Sequence, residues 1–180
     1  MKKFISTIFF IIAVPVLGFL LLQTLGDVIE QSTLSTRQKT SIKITVNTGK
    51  ILGREKNLRF DGWGSGGIDK LRMMGISLTS TDGPLNIEQA RELVVYCTET
   101  FLREINKNKK IRPYLCRYPF TSENVKIKIS CHDKENRLVH PPFITYVCVL
   151  KGKVYYHIRN PYLKTVHEEP YEKALKIVNK

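Results

Sequence analysis

Between Phe4 and Leu22 the chain has no charged side chain, and only Ser6 and Thr7 carry polar groups there. That lack excludes the helix of a soluble domain, which would show a polar face. As a helix rising about 1.5 Å per residue, the run reaches roughly the thickness of a bilayer hydrocarbon core with every backbone hydrogen bond made internally. No basic residue follows it until Arg37, whereas Lys2 and Lys3 sit at its near edge. The N-terminus is therefore expected to stay cytoplasmic and the remainder to be exported. Export crosses the inner membrane of a bacterium or enters a eukaryotic secretory lumen, and the Lys-Lys pair before a long apolar core favours the bacterial case. No Ala-x-Ala site follows the run, and Thr24-Leu25-Gly26 is a weak substitute. Residues 1–26 therefore read as an uncleaved signal anchor or as a signal peptide cleaved near Gly26. With no cysteine near Gly26, a lipid-modified N-terminus is excluded.

Other absences narrow the chemistry. There is no internal repeat and no low-complexity tract, and 180 residues leave room for one domain beyond the leader. No C-x-x-C or H-x-x-x-H pattern exists, so zinc is not expected, and no cofactor is implied. Gly62-Trp63-Gly64-Ser65-Gly66-Gly67 matches G-x-G-x-x-G by letter only, because no buried strand precedes it and no helix follows. Trp63 also stands where a G-x-S-x-G nucleophile elbow needs glycine. This stretch reads as a flexible loop, with Trp63 packed back on the sheet or exposed as a contact residue. No RNA-binding signature is present, which disfavours nucleic acid as a partner. Acidic residues are scarce, with 16 against 29 Lys and Arg.

What is present describes an α+β domain. Gln23 to Ser41 has the polar, aperiodic composition of a linker, which divides the chain into 1–26, a linker over 27–41 and one exported domain over 42–180. Ile42 to Val46 alternates like a strand, Asn47-Thr48-Gly49 reads as a turn, and Met74 to Thr79 reads as a second strand. Ile87, Ala90, Val94, Cys97, Phe101 and Ile105 form one apolar stripe of a helix over 87–107, with Asn86 and Gln89 as a capping box. Pro113 and Pro119 make 112–120 a packed aromatic loop. Val125 to Cys131 alternates strictly. Phe143 to Leu150 and Lys153 to Arg159 form a hairpin over Lys151-Gly152, with Leu150 opposite Lys153. Asn160-Pro161 is expected to end that strand, and Glu168 to Val178 to form a short C-terminal helix. The architecture predicted is a mainly antiparallel sheet with one long amphipathic helix across a face and a short helix at an edge, preceded by the N-terminal hydrophobic helix.

Three groups of residues are candidates for function. In an oxidising compartment the four cysteines invite disulfides, and Cys97 and Cys131 lie on surfaces expected to meet in the core; the alternative is two small buried residues with free thiols. On the other face of the hairpin His157 lies with Tyr146, Tyr155 and Cys148, the one cluster from which a small exported hydrolase could be built, although no catalytic residue is assigned. Finally, the 29 basic residues less Lys2 and Lys3, against 16 acidic ones, leave the exported part at about +11. Lys107, Lys109, Lys110, Arg112, Lys126 and Lys128 are the expected contacts with an anionic surface, either phospholipid head groups or an envelope polymer. The alternative is a surface that is basic for solubility alone.

The A-R-E-L-V-V helix at 90–95, the R-P-Y-L-x-x-Y-P-F segment at 112–120 and Glu168-Glu169-x-Tyr171-Glu172 resemble a group of small exported or membrane-anchored proteins of unknown function from intracellular bacteria such as chlamydia-like organisms and Legionella. The resemblance spans about residues 70–180 and implies no activity. The function expected is that of a membrane-anchored or exported, envelope-facing binding or structural module.

Overall fold

The computed structural model describes residues 34–180; the apolar run at 4–22 and the junction near Gly26 lie outside them. The chain divides after Lys39, and the unit from Thr40 to Lys180 holds the whole sheet. Its elements are α1 (Thr36–Lys56), β1 (Leu58–Gly66), β2 (Met73–Ser80), α2 (Ile87–Lys107), β3 (Val125–Cys131), β4 (Tyr146–Leu150), β5 (Lys153–Arg159), β6 (Leu163–Pro170) and α3 (Tyr171–Val178). The strands lie in the order of the chain, β1 to β6, and every neighbouring pair is antiparallel except β2 and β3. Parallel neighbours need a crossover, and α2 supplies it. The α+β class and the mostly antiparallel sheet are as expected. Among the described residues no helix is long and apolar enough to cross a membrane.

α2 forms where the pattern places it. Asn86 Oδ1 accepts from the Gln89 N–H at 2.9 Å and Gln89 Oε1 accepts from the Asn86 N–H at 3.0 Å, so the first turn is capped reciprocally. Its stripe of Ala90, Val94, Cys97, Phe101 and Ile105 is fully buried on the sheet, where Ile76, Leu78, Ile127, Ile129, Val147, Val149, Val154 and Tyr156 face it. β3 alternates buried and exposed residues from Val125 onward. The hairpin closes as its spacing demands, with Leu150 opposite Lys153 and both Lys151 and Gly152 at positive φ, the twist a two-residue turn needs.

Three elements differ from the expectation. Ile42 to Val46 is helix, not strand, and Asn47-Thr48-Gly49 is no turn: α1 runs unbroken from Thr36, inside the stretch whose composition reads as linker. Ser35 caps it with Gln38 in a second reciprocal box. The apparent alternation misleads because the buried set, Ser41, Ile44, Thr45, Thr48, Gly49 and Leu52, repeats at three and four residues. It is a small, partly polar face. Thr45 and Thr48 donate back to the Ser41 and Ile44 carbonyls at 3.0 and 2.9 Å, which pairs both threonine hydroxyls, whereas the buried Ser41 hydroxyl has no partner among the described residues. Secondly, the glycine-rich stretch is not a loop. Residues 58–66 form edge strand β1, its ladder to β2 interrupted by a bulge between Phe60 and Gly62, and Trp63 stays 45% exposed. Thirdly, Asn160-Pro161 ends β5 as expected, but a further strand follows before the last helix. The chain turns there and returns as β6, so the last helix begins at Tyr171 and not at Glu168. β6 carries no buried apolar residue to signal it; Glu169 is its one buried side chain.

The register gives the sheet two distinct ends. Gly66, Met73, Val125, Leu150 and Lys153 lie at one; Leu58, Ser80, Cys131, Tyr146 and His157 lie toward the other. α2 starts after Ser80 and finishes before Val125, so it runs from the second end to the first. α1 ends one residue before Leu58 and packs Gly49 on Phe60, so it runs back along β1, and Thr40 lies toward the first end. A Cβ on Gly49 would meet the Phe60 ring at 2.5 Å. Gly49→Ala gains about 1 kcal/mol of helix propensity but overpacks by about 1–3 kcal/mol. We expect a net loss of about 1 kcal/mol in denaturant unfolding, and a stabilised variant would show that the ring moves freely.

Candidate functional site

The face of the sheet opposite α2 carries no helix among the described residues. On it Lys126 and Lys128 project from β3, Tyr146 and Cys148 from β4, and Tyr155 and His157 from β5, since Lys128 pairs with Cys148, Cys148 with Tyr155 and Tyr146 with His157. The cluster read from the hairpin is therefore assembled. The His157 ring lies 5.3 Å from Tyr146 and stacks on Tyr155 at 6.4 Å, and its Nδ1 is 3.1 Å from the Thr165 hydroxyl. Lys128 Nζ sits 5.4 Å from the Tyr146 ring centre. Among the described residues no hydrogen bond joins Cys148 to His157, so the nucleophile–base contact of a catalytic pair is not made. Burial pushes the Cys148 thiol up despite Lys126 and Lys128, pushes Tyr146 up to about 12, and pushes His157 down. The face offers stacking surfaces beside two cations that make no ion pair among the described residues.

The other basic candidates gather at the first end of the sheet, where α2 finishes and β3 begins. Lys107 is paired with Glu104 at 2.5 Å. Lys109 and Lys110 are exposed, with no ion pair among the described residues. Arg112 departs from the expectation of a free surface contact. Its guanidinium lies 4.5 Å from the Tyr118 ring centre and donates to the Asn106 carbonyl at 3.2 Å, so it holds the loop together. Asn106 fastens the same loop by a pair of hydrogen bonds to the backbone of buried Phe120. Arg72, Arg117 and Lys151 lie at this end too, and Thr40 brings the chain in there.

A buried charge pair is the feature that sequence reasoning missed. Glu169 on β6 is 3% exposed and faces inward opposite Val154; its Oε1 accepts from Arg91 Nε on α2 and from the Tyr156 hydroxyl, each at 2.7 Å. Burial alone would raise the Glu169 carboxyl, but these two hydrogen bonds outweigh it and hold the carboxyl below the ordinary value. Burial and the same bond to Glu169 push Tyr156 up. Oε2 has no hydrogen-bond partner and lies 3.8 Å from His167 Nε2. The only hint in the chain is an acidic pair directly before Pro170, which reads more naturally as a helix start.

Cys97 and Cys131 both lie in the core, as free thiols and not as a disulfide. Burial pushes each up to about 12. Among the described residues no group of His, Cys, Asp and Glu could hold a metal ion. A third feature is an open groove of about 940 Å³ at the second end of the sheet, between the end of α1, the outward face of α2 and α3.

Removing one partner of a buried ion pair costs about 3–5 kcal/mol. Arg91→Met should therefore lose about 3 kcal/mol at pH 7. A lowered folded-state pKa contributes stability above the ordinary glutamate value of about 4.5, and that stability is lost as pH falls through the folded value. The gap between wild type and variant in urea unfolding should thus narrow below about pH 4.5, whereas a constant gap would mean that Glu169 carries no charge. For the cysteines, alkylation of the folded protein at pH 8 should label exposed Cys116 first and leave Cys97 and Cys131 untouched until unfolding. A Cys97–Cys131 linked peptide in unreduced protein is the contrary result.

The chain matches no protein family, no curated protein and no solved structure.

Proposed function

We propose that the protein is a membrane-anchored, envelope-facing binding module without catalysis, held by residues 4–22, with residues 40–180 on the periplasmic side and its basic end against anionic head groups or envelope polymer. The observation that supports this most is a coincidence of position. Thr40 enters the domain at the end of the sheet where Lys109, Lys110 and Lys126 stand exposed, without ion pairs among the described residues. Under this reading the tether joins the domain at that end. Cations within a Debye length of an anionic leaflet each contribute about 1 kcal/mol, so a few of them orient a domain that is already anchored.

Among the described residues the buried core runs from Ile44 to Ala174, so residues 34–180 carry a core of their own. We expect this fragment to sediment with vesicles containing phosphatidylglycerol but not with neutral phosphatidylcholine vesicles. The binding should vanish between 0.1 M and 1 M salt, as the Debye length falls from about 10 Å to about 3 Å. Lys109→Gln, Lys110→Gln and Lys126→Gln together should weaken it by about 3 kcal/mol, roughly two powers of ten. Lys134→Gln with Lys164→Gln, toward the other end, should change it far less. Equal losses from the two sets would mean that net charge acts without orientation.

A further inference from the structure

The groove at the second end of the sheet differs in chemistry from the rest of this basic chain. Its floor is apolar: Leu93 and Tyr96 on α2 with Leu175 and Val178 on α3 are all half-buried, although each could have been covered. Leu93 and Tyr96 lie three apart at the margin of the stripe that α2 spends on the sheet; both touch the edge of the core, the Tyr96 hydroxyl donates to Glu55 at 2.6 Å, and the remaining surface of the two side chains lines the groove. The rim is acidic, with Glu55, Asp82, Glu92 and Glu99 against Arg54 and Lys56. One of the two cations is engaged, since Lys56 Nζ lies 4.5 Å from the Tyr96 ring centre. In a chain of net charge +13 this is a local reversal of sign.

The shape argues against a small ligand. Such sites bury most of the ligand surface, whereas Arg54, Glu55, Asp82, Gln89, Glu92 and Glu99 all stand exposed along an open trough. A trough walled by helices, apolar below and charged at the rim, fits an amphipathic helix laid along it. We propose that this groove binds a short amphipathic helix of a partner protein, one that sets an apolar stripe on Leu93, Tyr96, Leu175 and Val178 and basic side chains against Glu92, Glu99, Glu55 and Asp82. About 20 Å of α1 separates Thr40 from Arg54, so the groove stays open when the opposite end meets a surface. The proposal does not depend on that contact.

The test is fluorescence anisotropy of a labelled Leu/Lys amphipathic peptide of about four turns, titrated with residues 34–180, beside its Leu/Glu counterpart. The basic peptide should bind and the acidic one should not. Glu92→Lys, at an exposed residue that makes no ion pair among the described residues, should weaken binding tenfold or more, about 1.4 kcal/mol. Glu88→Lys, which changes net charge equally but lies outside the groove, should leave it within twofold. Val178→Trp, which fills the trough at the end of α3, should abolish binding while the thermal melt is retained. Equal effects of Glu92→Lys and Glu88→Lys, equal binding of the acidic peptide, or binding that survives Val178→Trp would each overturn the proposal. So would concentration-dependent self-association of the fragment that Glu92→Lys abolishes, because the occupant would then be a second copy of this chain.

Discussion

One constraint organises this molecule: β2 and β3 are parallel neighbours, so the chain must travel the full length of the sheet between them. α2 makes that journey, and its single apolar stripe against β3 and β4 builds the core on the way. Because the same helix is crossover and core, its two ends are pinned to the two ends of the sheet. Its charges follow. Glu88 and Glu92 sit near its start and Lys107, Lys109 and Lys110 at or just past its finish, the arrangement the helix dipole favours. The sheet thereby acquires a basic end and an acidic, groove-bearing end from a linear feature of one segment.

The remaining elements extend this polarity. α1 returns along β1 and brings Thr40 to the basic end, while its C-terminal turn forms one wall of the groove. α3 packs along α2 and forms the other wall. The Arg91–Glu169–Tyr156 contact ties α2 to the outermost strands β5 and β6, and the Tyr171 hydroxyl adds a 2.8 Å bond to Glu99. Edge strand β6, which buries no apolar side chain, is thus held to the core by a charge pair.

Legibility in the sequence tracked how much apolar contrast each segment carries. α2, β3 and the hairpin bury one face and wet the other, so period and register could be read directly, down to Leu150 opposite Lys153 and the grouping of His157 with Tyr146, Tyr155 and Cys148. α1 defeated the same reasoning because its buried face is Ser, Thr and Gly with few apolar residues, and three β-branched residues at 42, 44 and 46 imitate a strand. β1 and β6 are edge strands that owe their existence to hydrogen bonds from β2 and β5, which no local pattern reports. The salt-bridge partners Arg91 and Glu169 are 78 residues apart, beyond the reach of any spacing rule.

By itself the sequence determined that an apolar run precedes a basic α+β domain, that one amphipathic helix and an alternating strand share a core, and that four cysteines and a thin set of histidines bear no catalytic pattern. These follow from composition and short-range periodicity, which constrain each segment's own burial. Only the tertiary structure decided that the lysines after α2 stand at the end where Thr40 enters, that Arg112 spends its charge on a loop, that Glu169 is buried against Arg91, and that the acids of α1 and α2 meet around one apolar groove. Strand order and helix direction make those neighbours, and both are properties of the assembled sheet.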